Sequence, residues 1–211
     1  MYKDVLQSIG EKKIVAILRG LSFLQSMKTI ETLIESGITN IEVTLNTPNA
    51  IECIHKALEE FGDVANIGAG TVKNEEDAKK AVQAGARFIL TPNLSINTVE
   101  YANTENVLII PGVLTPTEIV TAQNLGCKMV KIFPISAVNK RYIKEIKGPL
   151  DDIKVMAVGG VGLENIEQYL SVGADAFGLG SSLIKTDLIN EERYDLLKEH
   201  FRKYVDLLNR F

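Results

Sequence analysis

A lysine lies where a strand should be buried. The run Lys128-Met129-Val130-Lys131-Ile132-Phe133-Pro134 is a short apolar strand closed by a proline that cannot extend a sheet ladder. An ammonium is costly to bury unless it is paired or has lost its proton. Desolvation lowers a lysine pKa toward neutrality, and the free amine then adds to a ketone or aldehyde to form a Schiff base. Such chemistry also needs a group that moves protons. Glu42 is the candidate, in Ile41-Glu42-Val43-Thr44-Leu45-Asn46, where the two-residue alternation puts Glu42, Thr44 and Asn46 on one face. Each residue also has an ordinary reading. Lys131 could snorkel from a strand end or form a structural ion pair with Glu42, Arg19 could cap a rim, and Thr71 could bond its own backbone. Burying charges that only cancel one another gains little stability, so a site that uses one amine and one carboxylate accounts for them better.

The elements that must position these groups are legible as an alternation. Apolar strand runs fall at 14–19, 40–45, 65–71, 87–91, 107–111, 128–133, 153–158 and 174–179, after a short amphipathic opening at 2–9. Between them apolar residues recur three or four apart, as in Met27, Ile30, Leu33 and Ile34. Several of these helical stretches end in glycine, at Gly37, Gly85, Gly126 and Gly173, which supplies the left-handed residue that closes a helix before the next strand. Near-continuous apolar strands covered by helices imply a parallel sheet buried on both faces. Eight strand-helix units of roughly 26 residues fit a compact α/β fold, a (β/α)8 TIM barrel, as one domain over residues 1–211. A doubly wound open sheet would use fewer strands at this length.

In such a barrel the chemistry gathers at the C-terminal ends of the strands. Inward-facing ends would bring Arg19, Glu42, Thr71 and Lys131 into one pocket. The last two strands run into Gly159-Gly160-Val161 and Gly180-Ser181-Ser182. Glycine-rich turns there present backbone N–H groups suited to a phosphate.

Composition removes other classes. The 211 residues are 45 % hydrophobic with a net charge of −4, and the basic residues are scattered. A nucleic-acid binder would carry a positive face. The opening Met1-Tyr2-Lys3-Asp4 has no apolar signal core and no apolar run is long enough to span a bilayer, so a soluble cytoplasmic protein is expected. Cys53 and Cys127 fit buried thiols rather than a disulfide, and two histidines without a cysteine pair make a zinc site unexpected.

The stretches Ala16-Ile17-Leu18-Arg19, Ile41-Glu42-Val43-Thr44, Gly68-Ala69-Gly70-Thr71-Val72, Leu90-Thr91-Pro92-Asn93 and Pro111-Gly112-Val113-Leu114-Thr115-Pro116-Thr117-Glu118 form an ordered series. It continues through Lys131-Ile132-Phe133-Pro134, Val158-Gly159-Gly160 and Gly178-Leu179-Gly180-Ser181. On these residues the chain resembles the KDPG/KHG aldolase family, class I aldolases that release pyruvate from 2-keto-3-deoxy-6-phosphoaldonates. The resemblance implies Lys131 as the Schiff-base lysine and Glu42 as the general acid/base. It implies Thr71 as a ligand of the pyruvate carboxylate, Pro92 and Phe133 as pocket walls, and Gly159, Gly160 and Ser181 as the phosphate cradle, with Gly180 in the same turn. It also implies a homotrimer, no metal and no organic cofactor. The expected partners are a phosphorylated keto-deoxy sugar acid and pyruvate, with no nucleic acid and no membrane.

Two positions depart from gluconate-type members. Asn46 stands where many of them have arginine, which leaves Arg19 to neutralise the substrate carboxylate, and Val158 stands where they often have threonine. With Leu45 and Thr91-Pro92-Asn93, this combination resembles the 6-phosphogalactonate branch. Valine cannot hydrogen-bond a substrate hydroxyl, so C4 stereochemistry would be read differently. Two other readings keep the same barrel. One is a metal-free phosphosugar epimerase or isomerase, which has no use for an imine-forming lysine. The other is a non-catalytic phosphosugar-binding protein.

Overall fold

A computed structural model describes residues 2–211. Met1, which the domain bounds and the N-terminal reading included, lies outside the described residues. The chain opens with helix α1 (Tyr2–Lys12) and then alternates strand and helix. The first half runs β1 (Ile14–Leu18), α2 (Phe23–Glu35), β2 (Asn40–Thr44), α3 (Ala50–Phe61), β3 (Asn66–Gly70), α4 (Glu75–Gln83), β4 (Phe88–Leu90) and α5 (Ile96–Thr104). The second half runs β5 (Leu108–Ile110), β6 (Gly112–Val113), α6 (Pro116–Asn124), β7 (Met129–Ile132), α7 (Tyr142–Lys147), β8 (Lys154–Val158), α8 (Ile166–Ser171), β9 (Ala176–Leu179), α9 (Thr186–Asn190) and α10 (Tyr194–Leu208).

Every strand pairing is parallel, in the order β5-β4-β3-β2-β1-β9-β8-β7-β6. The expected strands are present, trimmed by one or two residues at their ends. The fifth, expected over 107–111, is β5 at Leu108–Ile110; it stops before Pro111, and a short extra strand, β6, follows that the sequence reading did not include. Thr91 bridges the interruption, its hydroxyl accepting from the Gly112 N–H at 3.1 Å and donating to the Asn93 carbonyl at 2.6 Å. On the other side the Lys131 N–H donates to the Pro111 carbonyl at 2.9 Å, so β5 and β6 close the barrel between β4 and β7.

Alternation decides which residues face which layer. Ile14, Ala16 and Leu18 of β1, Ile41 and Val43 of β2, and Val130 and Ile132 of β7 pack outward under the helices. Val15, Ile17, Phe88, Leu108, Met129 and Met156 fill the interior. The same period puts Glu42 and Lys131 inward. Val5 and Ile9 of α1 join the interior cluster, so α1 closes the barrel at the N-terminal ends of the strands.

Helix starts and stops follow their local residues. Ser22 and Thr115 open α2 and α6 through reciprocal caps with Gln25 and Glu118. Gly37, Gly85, Gly126 and Gly173 all have positive φ, between 89° and 99°, as the sequence leads one to expect. Both cysteines are buried free thiols. No helix among the described residues is long and apolar enough to cross a membrane.

Candidate active site

Glu42 and Lys131 sit inside the barrel, 1 % and 5 % exposed. The Glu42 carboxyl occupies the space beside Gly70: a Cβ there would stand 1.5 Å from Glu42 Oε1. Glycine at the end of β3 is thus what lets β2 carry an acid into the interior. Burial pushes the Glu42 carboxyl above its ordinary pKa, against the opposing pull of Lys131 and then Arg19. Burial likewise draws the Lys131 ammonium down, opposed by Glu42 and assisted by Arg19. Both groups are therefore displaced toward their neutral forms. Among the described residues no ion pair joins them, and Glu42 Oε2 is buried with no hydrogen-bond partner. An orphaned buried oxygen costs about 1–3 kcal/mol, which a ligand or reactant would recover.

Above this pair a cleft of about 860 Å³ opens at the C-terminal ends of β1, β7, β8 and β9. Of the residues expected at the site, Arg19, Phe133, Gly159, Gly160, Gly180 and Ser181 line it. Lys131 lies just beneath, its Nζ 4.8 Å from the centroid of the Phe133 ring. Thr71 and Pro92 stand on the β3 and β4 ends and do not form part of the cleft wall. Thr71 has φ of 56°, a left-handed conformation that is strained for a β-branched residue. Pro92 packs its carbonyl against the Gly112 backbone, where an added Cβ would come within 2.7 Å of the oxygen.

The far end of the cleft is shaped for an anion. Gly159 and Gly160 have φ of 97° and 77°, and a Cβ on Gly160 would meet the Ser136 side chain at 2.9 Å. Asn165 holds this turn by donating to the Gly160 carbonyl and accepting from the Gly162 N–H, both at 2.9 Å. In the next loop the Gly180 carbonyl accepts from Leu183 and Ile184. The Ser182 carbonyl accepts from the Tyr204 hydroxyl at 3.0 Å, with His200 Nε2 also at 3.0 Å. With these carbonyls engaged, the N–H groups of Ser181 and Ser182 have no acceptor among the described residues. Such amides at a turn suit a phosphate.

Sequence reasoning missed the α10 contribution. His200 and Tyr204 line the cleft, although a signal existed: Leu197, Phe201, Tyr204 and Leu208 make a buried helical stripe with His200 beside it. It missed Thr47 as well. The Gly20 N–H donates to Thr47 Oγ1 at 3.0 Å, and Thr44 links Thr47 to the Leu18 carbonyl, which fixes the turn that carries Arg19. Thr44, placed on the Glu42 face by alternation, is thus spent on the backbone, and Asn46 is exposed at the rim. Among the described residues no three His, Cys, Asp or Glu side chains gather as a metal site.

Comparison with known proteins agrees with this architecture. The family described as "Aldolase: KDPG and KHG aldolase" matches residues 5–199. The 2-dehydro-3-deoxy-6-phosphogalactonate aldolase of Escherichia coli (strain K12) is 37 % identical over 173 residues, 82 % of this chain and 84 % of that protein. The 2-dehydro-3-deoxy-phosphogluconate aldolase of Haemophilus influenzae is 29 % identical over 207 residues, 98 % of this chain and 97 % of that one. The KDPG aldolase of Legionella pneumophila, solved with pyruvate captured as a covalent carbinolamine, superposes with a TM-score of 0.86 at 27 % identity, over 92 % of this chain and 94 % of its own. With the family matched over nearly its whole length and the barrel shared, this chain belongs to the KDPG and KHG aldolase family.

Proposed function

We propose that this protein is a class I aldolase that cleaves a 2-dehydro-3-deoxy-6-phosphoaldonate to pyruvate and glyceraldehyde 3-phosphate, with 4-hydroxy-2-oxoglutarate, cleaved to pyruvate and glyoxylate, as a second substrate. The observation that carries it is a desolvated amine, Lys131, beside a desolvated carboxyl, Glu42, with no bond spent between them. In this reading neutral Lys131 Nζ attacks the C2 carbonyl, and Glu42 moves the protons that turn the carbinolamine into an imine by loss of water. Glu42 then takes the C4 hydroxyl proton. The C4–O electrons form the aldehyde, the C3–C4 bond breaks, and its electron pair passes to the iminium to leave an enamine. Protonation of the enamine at C3 and addition of water release pyruvate and restore the amine. Arg19 at the mouth and, outside the cleft wall, Thr71 on β3 receive the carboxylate, Phe133 walls the keto end from the cleft with Pro92 bounding it on the β4 side, and Gly159, Gly160, Gly180 and Ser181 receive the phosphate. Neither metal nor organic cofactor enters these steps.

The galactonate-derived epimer is the favoured substrate. Val158 lines the cleft where a hydroxyl could otherwise read C4, and the galactonate-type relative is the more similar of the two described. Homotrimeric assembly, which the family resemblance implies, and a cytoplasmic location belong to the same reading, and sedimentation equilibrium tests the trimer.

Sodium borohydride added with pyruvate tests the reading directly. Reduction of the imine should leave a stable adduct on Lys131, located by peptide mass spectrometry. Active enzyme that yields no adduct, or an adduct on another lysine, would overturn the mechanism. A coupled assay of pyruvate release separates the aldolase from an epimerase or a binding protein.

A further inference from the structure

The backbone cradle at the far end of the cleft carries no charge of its own, yet the ligand read there is a dianion. One side chain can supply that charge. Lys185 lines the same cleft three residues after Ser182, and its Nζ lies 3.4 Å from the Ser181 carbonyl. That long contact leaves the ammonium un-neutralised, and no ion pair to Lys185 exists among the described residues. Two carboxylates share the cleft wall, Glu164 and Asp187. Glu164 is folded onto the Gly162 backbone, where an added Cβ would meet its oxygens at 2.6 and 2.8 Å. Burial draws the His200 imidazole below its ordinary pKa, opposed by the Ser182 carbonyl and assisted by Lys185, and its Nε2 is already engaged with that carbonyl at 3.0 Å.

The cleft therefore has two cationic ends. Arg19 is coupled to Glu42 and Lys131 at the keto-acid end, while Lys185 stands with Ser181 and His200 at the other. We propose that Lys185 recognises the substrate's terminal phosphate and sets the preference for phosphorylated over unphosphorylated keto-deoxy acids. This rests on the aldolase reading for the identity of the substrate, while the anion site itself rests on Lys185 and the Ser181 loop. The loop is already arranged for that role, because Tyr204 and His200 hold the Ser182 carbonyl toward α10, which leaves the amides and the lysine stem on the cleft side.

The test compares wild type with Lys185→Met, Lys185→Gln and Lys185→Arg. Substrates are 2-dehydro-3-deoxy-6-phosphogalactonate and its unphosphorylated counterpart, with inorganic phosphate as competitor at fixed ionic strength. A charge-assisted contact at a partly exposed site should raise KM for the phosphorylated substrate about tenfold in the Met and Gln variants, with kcat altered less than about threefold. The inhibition constant for phosphate should rise in parallel, and arginine should restore most of both. The proposal is overturned if both neutral variants keep wild-type KM and phosphate inhibition, or if they lose kcat equally on both substrates. Calorimetric titration of inorganic phosphate needs no turnover. If the borohydride trap fails on wild type, the aldolase reading falls, and the titration still decides Lys185.

Discussion

Burying the ionisable groups of Lys131 and Glu42 weighs against the fold. Glu42 has a raised pKa, so the native state holds its proton more tightly than the unfolded chain does. Its contribution is fully present below the ordinary value of 4.5 and is lost as pH rises through the raised one. Lys131 behaves as the mirror image, because its penalty is full at low pH and relieved as pH rises toward 10.5. Near pH 7 both penalties act. The Lys131→Met/Glu42→Gln double variant should therefore unfold at higher urea concentration than wild type, by about 1–4 kcal/mol, while releasing no pyruvate. A double variant less stable than wild type at pH 7 would mean that the two charges support the fold rather than burden it.

Between elements, the tightest constraint is the meeting of β2 and β3. A methyl group at position 70 would coincide with the Glu42 carboxyl, so Gly70→Ala must evict that acid or push the strands apart. Pyruvate release should fall at least about 100-fold, the scale of a lost general acid/base, with about 1–3 kcal/mol of destabilisation from overpacking. Wild-type turnover in Gly70→Ala would remove Glu42 from the mechanism. This contact was half legible beforehand. The glycines of 68–70 announce close approach, and alternation turns Glu42 inward, but the partner of each glycine is a cross-strand fact. Glycine stops, the strand–helix alternation and the buried lysine were readable because each depends on neighbours in sequence. The Tyr204 and His200 contacts to Ser182 were not, since they join residues 22 and 18 positions apart through the packing of α10. The split of the fifth strand was visible only as Pro111, whose missing N–H marks a ladder break without saying whether the chain resumes beyond it.

Across the whole molecule, the barrel divides labour between its ends. The N-terminal end is sealed by Val5 and Ile9 of α1 and by the Ser8–Asn40–Asn66 hydrogen bonds at 3.0 and 2.9 Å. The opposite end holds the cleft, in keeping with the separation of stability from chemistry in this architecture. Among the described residues one sector of the wall lacks a continuous strand, where Pro111 parts β5 from β6, and the Lys131 amide hangs on the Pro111 carbonyl. That sector should breathe before the rest of the ring. Deuterium should enter the amides of Gly112, Lys131 and Phe133 sooner than those of β1–β3, and pyruvate trapped on the lysine should slow it there first. Uniform uptake around the ring would mean that the gap is rigid. Faster uptake at the gap would make Lys131 the hinge-pin of the wall, so that a ligand held on its amine also tightens the weakest stave of the cask.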